Sequence, residues 1–182
     1  YIELVPKDGW IVANKDDRNI REMLKGKKNV LWYSFSQGES KTLSREMKLP
    51  GKHNTANALA ALTVARILKI PDAKSVAVLS AYKGSWRRFE IFNLKKPKAY
   101  TLVSDYGHHP TEIAATLQAA REKWSKKKIW LVYQPHQYQR TFLLFDDFVR
   151  VLLQAPMQKL LLMDIYDVAG REEGSITTKV WS

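Results

Sequence analysis

The chain has 182 residues, 45% hydrophobic and 26% charged, an ordinary globular composition with room for one domain or two small ones. It has no cysteine, which excludes a disulfide framework and any cysteine-based zinc site. The formal charge of +12 sits mainly in residues 1–88, where 17 Lys/Arg face 8 Asp/Glu; such a balance suits nucleotides, phosphorylated metabolites or nucleic acid, or equally a solvated lysine-rich surface.

In chain order, Trp10 to Asn14 is a short apolar run and reads as a strand. Asp16-Asp17 caps a short helix, Arg18 to Leu24. Asn29 to Phe35, rich in Val, Trp, Tyr and Phe, is a second strand. Ser36 to Ser40 reads as a turn and Thr42 to Leu49 as a weak strand ended by Pro50-Gly51. Asn54 to Leu68, dominated by Ala and Leu, is a largely buried helix with Asn54 as its cap. Ala73 to Tyr82 is another helix, capped by Asp72. Lys83 to Arg88 breaks the pattern and marks a domain boundary near Trp86–Phe89.

Beyond it the chain alternates. Phe89 to Leu94 and Tyr100 to Ser104 read as strands, and Pro110 to Trp124 as a helix with Ile113, Leu117, Ala120 and Trp124 on one face. Lys128 to Tyr133 is a strand, Leu143 to Leu153 a helix and Leu160 to Tyr166 a strand. The alternation, with near-continuous apolar strands, predicts an α/β fold with a mostly parallel sheet. Ligands in such folds bind outside the carboxyl ends of the strands. Three polar clusters fall there: Ser104 to His109, Gln134 to Arg140, and Asp164 to Glu173. The longest apolar run, Leu160 to Met163, is far short of the roughly 20 residues of a membrane span, and Glu3, Lys7 and Asp8 interrupt any signal-peptide core. These features read as a soluble, cytoplasmic protein.

The candidate chemistry lies in the clusters. The four histidines are His53, His108, His109 and His136; none forms an H-x-x-x-H or H-E-x-x-H pattern, so hydrogen bonding or anion contact is favoured over a metal site. Ser104, Asp105 and His108 lack the G-x-S-x-G elbow and lie too close in sequence for a hydrolase triad. Arg87-Arg88 is either a phosphate clamp, since guanidinium matches phosphate oxygens in pairs, or two solvated charges. Asn54 and Asn57 open a helix whose N-terminus favours polar ligands. No G-x-x-x-x-G-K-[ST] loop occurs: Gly51-Lys52 is followed by His53.

Taken together, these stretches resemble one family. Gly51 to Ala61 (GKHNTANALAA) is similar to the G-x-H-N-x-x-N-A-x-A-A helix start of the Mur ligases. Gly84 to Glu90 (GSWRRFE) resembles their G-x-x-R-R-F-[DE] entry to a third domain. Asp105 to Glu112 (DYGHHPTE) resembles D-Y-x-H-H-P-T-E, and Gln134 to Thr141 (QPHQYQRT) resembles Q-P-H-[RQ]-[YF]-x-R-T. Asp8 to Asp17 also fits the family's D-G-x-x-V-x-N-x-D-D stretch.

The resemblance implies a partial central ATP-binding domain over 1–87 and a Rossmann-like, amino-acid-binding C-terminal domain over 88–182. It implies an ATP- and Mg²⁺-dependent ligase of peptidoglycan precursor synthesis, working through an acyl phosphate. The motifs are most like the branch that joins L-alanine to UDP-N-acetylmuramate, with the branch that recycles murein tripeptide as runner-up. It implies a monomer or weak dimer with no nucleic-acid or membrane partner; a non-catalytic nucleotide- or nucleic-acid-binding module is the competing class.

By the same carry-over, Asn54 and Asn57 serve the adenine, Asp105 the ribose and Arg88 the phosphates. Tyr106, His108, His136 and Arg140 serve the acceptor side, and Arg88 and His108 are the catalytic pair. Three departures stand out: Ser104 replaces a frequent Asp, Gln137 replaces a frequent Arg, and Ser36 to Leu49 is shortened. The family's UDP-binding domain, phosphate loop, Mg²⁺-binding acid and carbamylated lysine have no counterpart in the 182 residues, so the chain reads as a fragment that does not turn over ATP alone.

Overall fold

The computed structural model describes residues 2–166. The chain divides into two compact units after Lys83.

In the first unit, β1 (Ile11–Asn14) and β2 (Val30–Tyr33) pair in parallel, Ile11 opposite Val30 through Asn14 opposite Tyr33. Between them lies α1 (Arg18–Met23), whose first turn is capped by the Asp17 carboxylate accepting from the Ile20 N–H at 3.1 Å. Asp16 beside it has another task. Its two oxygens accept from the Ser34 hydroxyl (2.6 Å) and the Phe35 N–H (2.8 Å), tying the end of β1 to the end of β2. These bonds, the hydroxyl first, hold the Asp16 carboxyl below the usual carboxylate range.

Next comes α2 (Gly38–Glu46), where sequence reading expects a turn and a weak strand. The reason for the correction is periodic. Leu43 and Met47 stand four residues apart, one side of a helix, and Leu43 is fully buried against Ala58, Leu59 and Leu62. Arg66 fastens the arrangement from α3 (Lys52–Ile67), pairing with Glu39 of α2 and with Asp72 of α4 (Asp72–Ala81) at 2.6 Å.

Helix α3 starts at Lys52, earlier than Asn54, with Gly51 at the cap in a left-handed conformation (φ 99°). Asn54 therefore lies inside the first turn, and its side-chain amide donates to the Pro50 carbonyl at 2.7 Å. The helix buries Thr55, Ala58, Leu59, Leu62 and Thr63, the i, i+3, i+4, i+7, i+8 face, while Val64 on another face is 43% exposed. It is one-sided rather than largely buried: among the described residues its main contacts are with α2, α4 and the β1–β2 pair. Asp72 is the first residue of α4 rather than its cap, a position occupied by Pro71.

In the second unit, β3 (Glu90–Leu94) and β4 (Tyr100–Ser104) form an antiparallel pair with Glu90 opposite Ser104. This pair departs from the parallel pattern because only a short connection, 95–99, separates the strands, too little for a crossover. Parallel pairing returns in β5 (Trp130–Tyr133) and β6 (Lys159–Leu162). Helix α5 (Pro110–Lys123) buries Ile113, Leu117 and Ala120 as its spacing predicts. Helices α6 (Tyr138–Leu143) and α7 (Phe145–Gln154) follow β5; α6 is an element that sequence reading leaves in a loop. Ile113, Leu117, Tyr133, Phe148 and Leu152 make one core, and Phe89, Ala119 and Ala120 another. The chain is thus mixed α/β with parallel pairs, as the sequence predicts.

Candidate functional site

The second unit gathers most of the expected site residues. The chain enters it through Arg87 and Phe89, both with positive φ (53°), a conformation that side chains normally avoid. Two contacts hold it. Asp105 Oδ2 accepts from the Phe89 N–H at 2.9 Å, and the Arg87 carbonyl accepts from the Tyr106 N–H at 2.8 Å. Asp105 Oδ1 meanwhile accepts from the Gly107 N–H at 2.7 Å. Asp105 is therefore a brace between the unit's entry and the loop after β4. Gly107 suits the loop because a Cβ there would stand 2.8 Å from Asp105 Oδ1.

The loop then runs into α5. His109 is the helix cap: its Nδ1 accepts from the Thr111 N–H at 3.3 Å, and its own N–H donates to Glu112 at 3.0 Å. Pro110 fills the first helical position, where a missing N–H costs nothing. So His109 holds the start of the helix, and the His108 ring faces the other cluster. The His108 ring meets Tyr106 edge-on (centroids 5.4 Å apart) and lies 6.4 Å from the His136 ring. Arg88 reaches Glu112 at 4.0 Å with its side chain 58% exposed, so its guanidinium remains accessible.

The second strand-end cluster is held from β6's side. His136 and Tyr166 form a bridge; the Gln137 N–H donates to the Tyr166 carbonyl (2.9 Å), and the Tyr166 N–H donates to the Pro135 carbonyl (2.8 Å). The two rings stack at 5.4 Å. Gln137, one of the departures from the family pattern, takes a left-handed backbone (φ 72°) just before α6. Arg140, on α6, directs Nη1 to the His136 carbonyl at 3.4 Å. Beneath the cluster, burial pushes the Tyr133 hydroxyl up to about 12, with Arg140 pulling weakly the other way.

Tyr106, His108, His136 and Tyr166 thus form a row of rings at the strand ends, and Arg87 lies over the Tyr106 ring at 4.8 Å and the Trp86 ring at 5.5 Å. Sequence reasoning misses Tyr166 and the stacking role of Arg87. Tyr166 had one available signal: it ends the expected last strand, the position that supplies the other two clusters. Asn54 and Asn57 belong to the first unit, at the start of α3, with Asn57 exposed. The part of the third polar cluster beyond Tyr166 lies outside the described residues. Among the described residues no group of three or more His, Asp or Glu is placed to hold a metal ion. Nor is any helix of the described residues long and apolar enough to cross a membrane.

Residues 87–174 match the family model of the "Mur ligase, glutamate ligase domain". The chain belongs to the Mur ligase family. A UDP-N-acetylmuramate–L-alanine ligase of Clostridium botulinum (strain Hall) is 34% identical over 98% of this chain, and the chain spans 43% of that relative's length. One of Nitrosomonas eutropha is 49% identical over 74% of this chain and 28% of its own length. Among solved structures, the UDP-N-acetylmuramate–alanine ligase of Thermotoga maritima superposes with a TM-score of 0.54 at 30% identity, covering 66% of this chain and 26% of that one. A murein peptide ligase from Psychrobacter arcticus shares the fold, with a TM-score of 0.52 at 18% identity, over 87% of this chain and 44% of its own. The chain thus spans less than half the length of the curated relatives it matches.

Proposed function

We propose that the chain contributes the acceptor side, and part of the nucleotide side, of an ATP-dependent ligase that joins L-alanine to UDP-N-acetylmuramate through an acyl phosphate. The observation that carries this reading is the convergence at the strand ends: Tyr106, His108 and His136 in ring contact, with Arg140 on the His136 loop and Arg88 drawn to the base of the His108 loop. A cationic, ring-bearing cluster of that kind suits an amino acid and a phosphorylated carboxylate. The names of the relatives support the same substrates.

ATP supplies the phosphoryl group that activates the carboxylate. In this proposal Arg88 binds phosphate oxygens through its exposed guanidinium, and Asp105, whose oxygens keep lone pairs beyond their two backbone bonds, accepts from ribose hydroxyls. Asn57, exposed on the first turns of α3, meets adenine, with Asn54 holding the turn beside it. His136 and Arg140 face the L-alanine carboxylate, while Tyr106 and His108 position its amine and the muramoyl end. In this reading residues 1–87 are the end of an ATP-binding domain and residues 88–182 an amino-acid-binding domain. Mg²⁺ ligands and the phosphate loop are not among these residues, so the chain alone does not turn over ATP, and its place is the cytoplasm, where nucleotide precursors are made.

The test is chemical-shift mapping on the isotope-labelled chain. Millimolar ADP should move Arg88 and Asp105, and millimolar L-alanine should move Tyr106, His108 and His136. Silence at both sets sinks the proposal. Phosphate release by the purified chain that requires both UDP-N-acetylmuramate and L-alanine would overturn its inactivity alone.

A further inference from the structure

Glu112 stands at a meeting point that the helix-start motif does not explain. A glutamate at this position of a capping box accepts the N–H of the cap residue, here His109, at 3.0 Å. The same Oε2 also accepts the His108 N–H at 2.9 Å and lies 3.8 Å from His108 Nδ1. The other oxygen, Oε1, is 4.0 Å from Arg88 Nη1, on the segment that enters the unit. One carboxylate therefore lies within 4.0 Å of both members of the proposed catalytic pair, which are 20 positions apart in sequence, while His108 Nδ1 also sits 3.0 Å from the Tyr106 carbonyl oxygen.

The magnitudes show what such an arrangement does. The Arg88–Glu112 pair is long and exposed, and pairs of that kind add at most about 1 kcal/mol to stability. Its effect is directional: it turns a long, flexible guanidinium toward His108. Burial alone raises Glu112, yet the two backbone N–H bonds, His108 and Arg88 together bring it below the usual carboxylate range. The group thus stays ionised and able to hold both partners at neutral pH.

We infer that Glu112 is a positioning residue that holds the Arg88 guanidinium and the His108 imidazole side by side, so that both meet the same phosphorylated carboxylate. This rests on the ligase reading of Arg88 and His108.

Two readouts on the labelled chain separate it from a plain helix cap and from plain electrostatics. Glutamine is an accepted capping-box residue, so Glu112→Gln preserves the helix start while removing the charge. In that variant the Arg88 guanidinium Nη–H groups should exchange with solvent several-fold faster and the His108 ring signals should move, while the His109 amide stays protected. Unchanged Arg88 and His108 signals overturn the inference. The second readout is affinity for inorganic tripolyphosphate. Deleting a negative charge beside the Arg88 guanidinium should tighten anion binding on electrostatics alone; loss of positioning predicts several-fold weaker binding. Tighter binding by Glu112→Gln overturns the inference. Should the unaltered chain fail to bind tripolyphosphate, the phosphate role of Arg88 falls, and the exchange and ring signals alone decide whether Glu112 holds the pair. Glu112→Ala, which removes the cap as well, should add a loss of melting temperature that Glu112→Gln lacks.

Discussion

Single residues in this site carry two tasks each, and Asp105 shows why. In the proposed function it serves the ribose; by geometry it braces Phe89 and Gly107, so that two backbone donors depend on it. Removing it leaves both N–H groups without their acceptor at a place where Phe89 is buried and strained. Asp105→Ala should therefore lower unfolding stability by about 1–3 kcal/mol, and Asp105→Asn, which keeps one acceptor oxygen, by roughly half as much. Urea denaturation measures both. A midpoint unmoved in Asp105→Ala would free the carboxylate for a ligand role alone. The motif made the residue conspicuous in the sequence, but not its brace: the Phe89 donor is 16 residues away and comes near only because β3 and β4 fold back on each other.

At the scale of elements, α2 is the instructive case. Thr42 to Leu49 has a β-branched start and a Pro-Gly stop, and read locally it passes for a weak strand. Helix wins because Leu43 has a core to enter, made by Ala58, Leu59 and Leu62 of α3, and because Glu39 has a cation to meet in Arg66. Leu43→Ala should cost about 2–5 kcal/mol, the range for a fully buried leucine whose cavity does not collapse. The drop in thermal or urea stability checks it. A loss below about 1 kcal/mol would mean that α2 is not anchored there. The cap of α3 offers the converse lesson. Asn54 has cap chemistry, yet Gly51 takes the cap position because its left-handed φ turns the chain after Pro50, and Asn54 then bonds back to Pro50 from within the first turn.

At the scale of the whole molecule, acid sensitivity connects features of both units. Asp16 (held by the Ser34 hydroxyl), Glu39 and Asp72 (both held by Arg66) and Glu112 all sit below the usual carboxylate range in the folded chain. In the unfolded chain such groups titrate near about 4. A depressed native value means that the unfolded state binds protons first. The stabilisation is therefore complete above about pH 5, begins to fall near pH 4, and is lost as the pH drops through the lower native values. Melting followed by circular dichroism from pH 7 to pH 3 should show a plateau and then a decline. A melting temperature that holds level to pH 3 would contradict these assignments.

The sequence by itself determined the α/β class, the positions of the strands and of α1, α3, α4, α5 and α7, and the family, because these rest on local periodicity and on contiguous motifs such as DYGHHPTE and QPHQYQRT. Local signals suffice there, since an apolar face or a capping box lies within a dozen residues. Only the tertiary structure decided that Thr42 to Leu49 contributes to a helix, that Tyr166 stacks on His136, and that Asp105 and Glu112 tie Phe89 and Arg88 to the same loop. Each of these is a partnership between residues distant in the chain, made by burial or by charge once the strands have brought the segments together, and such a partner leaves no mark on the local pattern.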